Sequence, residues 1–138
     1  MRLPSLFQKP FWWYLAFAIW FVVLWNLSSG PLNTPPIKTP FPTDKILHFG
    51  YFFGGGGLLS AAFFFHRPDA QTGTRILIAL TILFLIGALD EWHQTFSEHR
   101  SGNDAADLTA DFLGSLVGSL TFYACRRWVF TEPFQKSL

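Results

Sequence analysis

Four apolar stretches, separated by short polar or proline-rich segments, make up most of this chain. They cover approximately residues 11–29, 46–65, 76–95 and 106–125. Because a helix rises about 1.5 Å per residue, each stretch comes close to the roughly 30 Å thickness of the hydrocarbon core of a bilayer. The pattern therefore predicts an all-α protein, a four-helix transmembrane bundle that is integral to a membrane.

The composition favours the same class of protein. Of the 138 residues, 50% are hydrophobic and 14% are charged, whereas an average soluble domain has about 25% charged residues. The length fits a single domain over residues 1–138. The formal net charge of +1 and the scattered basic residues give no reason to expect a nucleic-acid partner. Membrane lipids are the expected surroundings, and the oligomeric state is left open.

The basic residues predict the orientation of the helices. They are concentrated in the two terminal tails and in the loop between the second and third stretches. The positive-inside rule therefore places both termini in the cytoplasm. Acidic residues show the opposite bias, and those expected on the outer side are Asp44, Asp90, Glu91, Glu98, Asp104, Asp107 and Asp111.

Three of the predicted helices carry ionisable residues at a similar depth. Asp90 follows Arg75 and Asp111 precedes Arg126 by the same number of residues. If both arginines mark the inner boundary, each carboxylate lies about 22 Å along its helix, below the outer edge of the bilayer core. His48 lies slightly higher on the second helix. Because an ionisable side chain that faces lipid at this depth is costly, we expect these groups to face the bundle interior or a water-filled cleft.

Helical spacing places further polar residues on the same faces. Residues three or four apart share a face, so Asp90 is joined by His93 and Gln94, whereas Glu91 is turned away by about 100°. Two other columns follow this spacing: Asp44, His48 and Tyr51 in the second stretch, and Asp104, Asp107 and Asp111 in the fourth.

The outer-side acids outnumber the bases on that side. Lys45 and Arg100 are the expected counter-charges, and Lys38 is the third base. A purely structural network would not need such a surplus of acids. It therefore indicates a proton, a cation or a cationic group of a ligand. Oxygen ligands suit magnesium, calcium or manganese, and one histidine among carboxylates does not exclude zinc, so a divalent cation is one open option and the metal stays unidentified.

Glycines in the second and fourth stretches predict close helix packing. They are Gly54–Gly57 and the G-x-x-x-G pair Gly114 and Gly118. Small residues let helix backbones approach each other in a membrane. A ligand that approaches the exposed backbone is the less favoured interpretation.

Three ordered blocks of these residues resemble the VanZ-like family of small bacterial membrane proteins. They are D-K-x-x-H-x-x-Y from Asp44, D-E-x-x-Q-x5-R from Asp90, and D-x3-D-x2-G-x3-G from Asp107, and the resemblance covers residues 44–118. Two positions depart from the family pattern: Glu98 stands where proline is frequent, and Asp111 stands where many members have asparagine.

The resemblance implies a location and a phenotype without a mechanism. It implies a multi-pass protein of the bacterial inner membrane, and namesake members are associated with resistance to the glycopeptide teicoplanin. We therefore expect the outer polar residues to bind an envelope lipid, a cell-wall precursor or a glycopeptide. A membrane enzyme that hydrolyses or transfers a lipid-linked headgroup is the first alternative, and a purely structural polar network is the second.

The candidate functional residues follow from the polar columns. No nucleophile motif and no phosphate-binding loop of the Walker type is present in the sequence. The candidates for acid, base or metal-assisted catalysis are His48, Asp90, Glu91, Asp107 and Asp111. The candidates for ligand binding are Asp44, Lys45, Tyr51, Gln94 and Arg100.

Overall fold

Four long α-helices form the protein in the computed structural model, which describes residues 5–30, 42–97 and 102–130. Each helix is long and apolar enough to span a membrane. Within the described ranges there is no β-strand, so the prediction of an all-α four-helix bundle is confirmed. After a short 3₁₀ helix at Ser5–Gln8, the helices are α1 (Pro10–Ser28), α2 (Thr43–His66), α3 (Thr72–Gln94) and α4 (Ala105–Val129).

The observed helices extend beyond the apolar stretches into the polar residues at one end of the bundle. α2 begins at Thr43, so Asp44 and Lys45 belong to its first turn. α4 begins directly after Asp104, whose side chain accepts a hydrogen bond of 2.8 Å from the backbone N–H of Ala106. This contact caps the helix, because an aspartate at this position satisfies an N–H group that has no partner within the helix.

α2 and α4 run parallel to each other in direct backbone contact. At Gly118, a β-carbon would overlap the carbonyl oxygen of Phe53. In the same contact, the hydroxyl of Ser119 donates a 3.3 Å hydrogen bond to the carbonyl oxygen of Gly56. Small residues on both helices permit this approach, as the glycine pattern predicts.

α1 runs antiparallel to α2 and is held by aromatic side chains. Near its start, the hydroxyl of Tyr14 lies 2.9 Å from Nδ1 of His66 at the end of α2. Further along, Nε1 of Trp20 donates a 2.9 Å hydrogen bond to the carbonyl oxygen of Tyr51. The Trp20 ring covers Gly55, where a β-carbon would lie 2.6 Å from the ring.

Large apolar side chains cover the outside of the bundle. Every helix contributes to this surface, which includes Ile19, Phe53, Leu85 and Leu120. Such a continuous apolar surface is unfavourable in water and suits contact with lipid chains. The acidic side chains of α2, α3 and α4 instead lie toward the bundle end formed by the first turns of α2 and α4 and the last turn of α3.

Candidate functional site

All five catalytic candidates lie buried at this end of the bundle, and we call them the acidic cluster. The solvent-exposed fraction of the residue is 1% for Asp90 and Asp111 and is below 10% for the other three. The side chains of these five residues therefore turn toward the bundle interior, as the sequence predicts. The members of the acidic cluster are His48 from α2, Asp90 and Glu91 from α3, and Asp107 and Asp111 from α4.

His48 and Asp111 form the central pair of the acidic cluster. Nδ1 of His48 lies 2.9 Å from Oδ1 of Asp111. When Asp111 is ionised it can only accept, so Nδ1 carries the proton. The other ring nitrogen, Nε2, lies 3.9 Å from Oδ1 of Asp107, which is beyond hydrogen-bond distance. Asp111 also contacts α3, because a β-carbon at Gly87 would lie 2.9 Å from Oδ2 of Asp111.

Lys45 supplies the counter-charge that the sequence predicts. Its ammonium group lies 2.5 Å from Oδ2 of Asp104, 2.7 Å from Oδ1 of Asp107 and 3.2 Å from Oδ2 of Asp44. The hydrogen bond from Lys45 lowers the pKa of the Asp104 carboxyl, which precedes α4. Among the described residues, Lys45 is the one lysine or arginine that pairs with these acids. The second predicted counter-charge, Arg100, lies outside the described residues.

Glu91 links the end of α3 to the start of α4. Oε2 of Glu91 accepts a 2.7 Å hydrogen bond from the backbone N–H of Asp104. Its other oxygen, Oε1, is buried and has no hydrogen-bond partner in the described part of the chain. Helical spacing turns Glu91 away from the face of Asp90, yet both are buried. The reason is tertiary: the first turn of α4 covers Glu91, and spacing within one helix does not show this.

Asp90 pairs with Gln94 one helical turn later. Nε2 of Gln94 donates a 3.0 Å hydrogen bond to Oδ2 of Asp90, as their spacing predicts. Oδ1 of Asp90 is buried without a partner among the residues that the structure describes. His93, which helical spacing places on the same face as Asp90, stacks its ring on Trp25 of α1, with ring centroids 3.9 Å apart.

A cavity of about 40 Å³ lies beside Asp90. One water molecule needs about 10–15 Å³ by this type of measure, so the cavity has room for a few waters or one small cationic group. The sequence predicts four of its seven lining residues and misses Leu47 of α2 and the two residues of α1, which carry no charge and show no signal for this contact. The lining consists of Leu24, Ser28, Leu47, His48, Tyr51, Asp90 and Gln94.

Three members of the acidic cluster have the arrangement of possible metal ligands. His48, Glu91 and Asp107 each provide one ligand atom, and these atoms lie within 4.8 Å of one another. Asp90 and Asp111 do not belong to this group. Asp111 instead orients the imidazole through Nδ1.

Comparisons of the chain with models of protein families, with curated proteins and with solved structures gave no match. The resemblance to the VanZ-like family stays a prediction carried by its three sequence blocks. Ten residues were predicted as site residues, and the structure brings together all those that it describes; their chemical roles stay predictions.

Proposed function

We propose that this protein binds a cationic headgroup at the outer leaflet of the bacterial inner membrane. The ligand in this proposal is an envelope lipid, a lipid-linked cell-wall precursor or a glycopeptide. The acidic cluster is the binding site, and both termini lie in the cytoplasm. The observation that carries the proposal is the burial of Asp90 beside a cavity, with one carboxylate oxygen lacking a partner within the described ranges.

The charge balance supports a cationic ligand over an anionic one. The described carboxylates at this end of the bundle outnumber the described cationic groups that pair with them, which are Lys45 and, when protonated, His48. A phosphate would meet this negative field, and Lys45 is already surrounded by three carboxylates. Uncompensated carboxylates inside a membrane are costly, so a positive group that enters the site is attracted to it.

The size of the cavity limits which part of a ligand enters. About 40 Å³ is enough for an ammonium group and too little for a sugar. Asp90 and Gln94 provide oxygen acceptors for the ammonium hydrogens, and Tyr51 lines the same cavity. The rest of a headgroup would lie above the cavity, toward the membrane surface. A lipid with a primary amine in its headgroup is the simplest ligand with this chemistry.

A lipid-retention experiment tests the proposal. The full chain is extracted from membranes that contain equal amounts of phosphatidylethanolamine and phosphatidylglycerol, and retained lipid is measured by native mass spectrometry. We expect one phosphatidylethanolamine per chain, and at least about tenfold less retention in Asp90→Asn, because loss of one partner of a buried charge pair costs about 2–5 kcal/mol. Asp69→Asn, at an exposed carboxylate, is the matched control.

Two results contradict the proposal. One is equal retention of the two lipids by the wild-type protein, and the other is unchanged retention in a folded Asp90→Asn variant. Repeating the measurement with an envelope lipid extract or with teicoplanin as competitor shows whether a precursor or a glycopeptide displaces the lipid. If variants of the acidic cluster lose stability and no ligand is retained, the cluster is a structural polar network.

A membrane enzyme is the second candidate, favoured by the His48–Asp111 pair. A carboxylate that holds one imidazole nitrogen leaves the other available to accept a proton, which is the arrangement of a general base. Nε2 of His48 lies 3.9 Å from Oδ1 of Asp107. Incubation with an envelope lipid extract separates the candidates: release of a headgroup that His48→Gln abolishes indicates an enzyme, whereas retention without product indicates a binding protein.

A further inference from the structure

Three side chains of the acidic cluster have a mutual geometry that an amine in the cavity beside Asp90 does not explain. Nε2 of His48 lies 3.9 Å from Oδ1 of Asp107 on α4. One ring nitrogen of His48 also lies within 4.8 Å of a carboxylate oxygen of Glu91 on α3. The three side chains are buried, and their ligand atoms all lie within 4.8 Å of one another. From this geometry we propose that His48, Glu91 and Asp107 form a binding site for one divalent transition-metal cation.

The orientation of His48 supports the proposal. A histidine that binds a metal through one nitrogen usually donates its other N–H group to a carboxylate, which fixes the tautomer and the ring. Asp111 occupies this position, 2.9 Å from Nδ1. Nε2, which lies 3.9 Å from Oδ1 of Asp107, is then the ring nitrogen with a free lone pair for the metal. Asp111 acts in this arrangement as a positioning residue and does not touch the metal.

Glu91 provides the second, independent observation. It is 4% exposed, and its oxygen Oε1 is buried without a hydrogen-bond partner among the described residues. A buried carboxylate oxygen without a partner is costly, and a bound cation would remove that cost. Oε2 is fixed by the backbone N–H of Asp104, so the carboxylate is held in place beside His48 and Asp107.

The distances fit a small metal ion after a modest adjustment. Nitrogen and carboxylate ligands lie about 2.0–2.2 Å from zinc, so two ligands of one ion are at most about 4.4 Å apart. The observed limit of 4.8 Å needs side-chain shifts of less than about 1 Å to reach this range. One imidazole and two carboxylates favour zinc or manganese over magnesium and calcium, because the imidazole nitrogen suits transition metals.

Lys45 competes with the metal for one of these ligands. Its ammonium group lies 2.7 Å from Oδ1 of Asp107, and it also contacts Asp44 and Asp104. A metal bound to Asp107 would repel the ammonium group, which can retain its other two carboxylates. Removal of this positive charge is therefore expected to strengthen metal binding, whereas removal of a ligand weakens it. If the network were purely structural, removal of Lys45 and removal of a ligand would not be expected to change metal affinity in opposite directions.

Metal binding can be measured on the full chain without any lipid ligand. The protein in detergent is stripped with a chelator, dialysed against zinc, and analysed for bound metal, with cobalt absorption as a second readout. We expect one zinc per chain and at least about tenfold weaker binding in His48→Gln, Glu91→Gln and Asp107→Asn, since even positioning residues of metal sites change affinity by about 10–100-fold. Lys45→Met is expected to bind zinc more tightly.

Three control variants separate this site from other sources of binding. Asp90→Asn changes the cavity used in the proposed function and is expected to bind zinc as the wild type does; Asp69→Asn and His66→Gln report adventitious binding. Absence of zinc from the wild-type protein overturns the inference. The inference is also overturned if the three ligand variants bind zinc as tightly as the wild type while circular dichroism shows that they are folded. Zinc binding in the absence of amine-lipid retention leaves the inference intact and contradicts the proposed function alone.

Discussion

Gly118 of α4 lies so close to Phe53 of α2 that a β-carbon on the glycine would overlap the carbonyl oxygen of the phenylalanine. The same holds one turn earlier, where Gly114 meets the carbonyl oxygen of Phe49. Both contacts join backbone to backbone, so no rotation of a side chain can relieve an added methyl group. The α2–α4 pair must separate to accommodate one.

We therefore expect Gly118→Ala to destabilise the protein by about 1–3 kcal/mol, the usual cost of overpacking. Gly50→Ala on α2 is the matched control, because no atom lies within 4 Å of a β-carbon there. In a helix, alanine is favoured over glycine by up to about 1 kcal/mol, so the control should be neutral or slightly stabilising. Thermal unfolding in detergent measures both, and equal stability of the two variants would contradict the packing.

The contact of Asp111 with His48 predicts a graded response to substitution. Asparagine retains an oxygen that can accept from Nδ1 of His48, so Asp111→Asn should fold and keep most of the coupling between the two residues. Asp111→Leu removes the acceptor and should cost more. A double-mutant cycle with His48→Gln measures the coupling, expected at about 1–3 kcal/mol for the wild-type pair. A coupling near zero would show that the pair does not form.

The ion pair between Asp104 and Lys45 predicts a loss of protein stability in acid. Lys45 lowers the pKa of Asp104 in the folded state below its ordinary value. The pair therefore contributes stability above the unfolded pKa of about 3.9, and this contribution is lost as the pH falls through the lower folded value. We expect Asp104→Asn to be less stable than the wild type at pH 7 and to match it more closely at about pH 3.

Melting temperatures across this pH range test the effect, and the Lys45→Met background is the control. Without the ammonium group, the effect of Asp104→Asn on the pH dependence should shrink, and the remainder comes from the hydrogen bonds of Asp104 with backbone N–H groups at the start of α4. If the difference between wild type and Asp104→Asn instead grows in acid, the Lys45–Asp104 pair is not its source.

The proposed orientation predicts opposite accessibility of two loops. Cysteines are placed at Asn103 and at Asp69, both exposed, in a Cys125→Ser background. A membrane-impermeant thiol reagent should label Asn103→Cys in intact cells and Asp69→Cys after permeabilisation. The reverse pattern would place the acidic cluster on the cytoplasmic side and remove the basis for binding at the outer leaflet.

The sequence predicts the four helices and the gathering of acidic residues at one end of the bundle well, because both depend on length and residue spacing within a single segment. It also predicts the pairing of Lys45 with acids, since few cations are available on that side. Other contacts depend on how the helices meet. Burial of Glu91 by the start of α4 and stacking of His93 on Trp25 follow from tertiary packing, and no local pattern indicates them.

The contribution of α1 could not be predicted for the same reason. Leu24 and Ser28 line the cavity beside Asp90, but α1 contains no acidic or basic residue within its span. Apolar residues are expected on every face of a membrane helix, so their spacing does not show which face meets its neighbours.

The backbone contact between α2 and α4 also constrains how the sequence can change over evolutionary time. His48 directly precedes Phe49, and Asp111 lies one helical turn before Gly114. A shift of one helix along the other would therefore separate His48 from Asp111. Apolar substitutions on the exposed surface leave this register unchanged, whereas a larger residue at Gly114 or Gly118 disturbs it. In a library of random variants, those with a larger residue at Gly114 or Gly118 should therefore lose the contact between His48 and Asp111, even where neither of these two residues is changed.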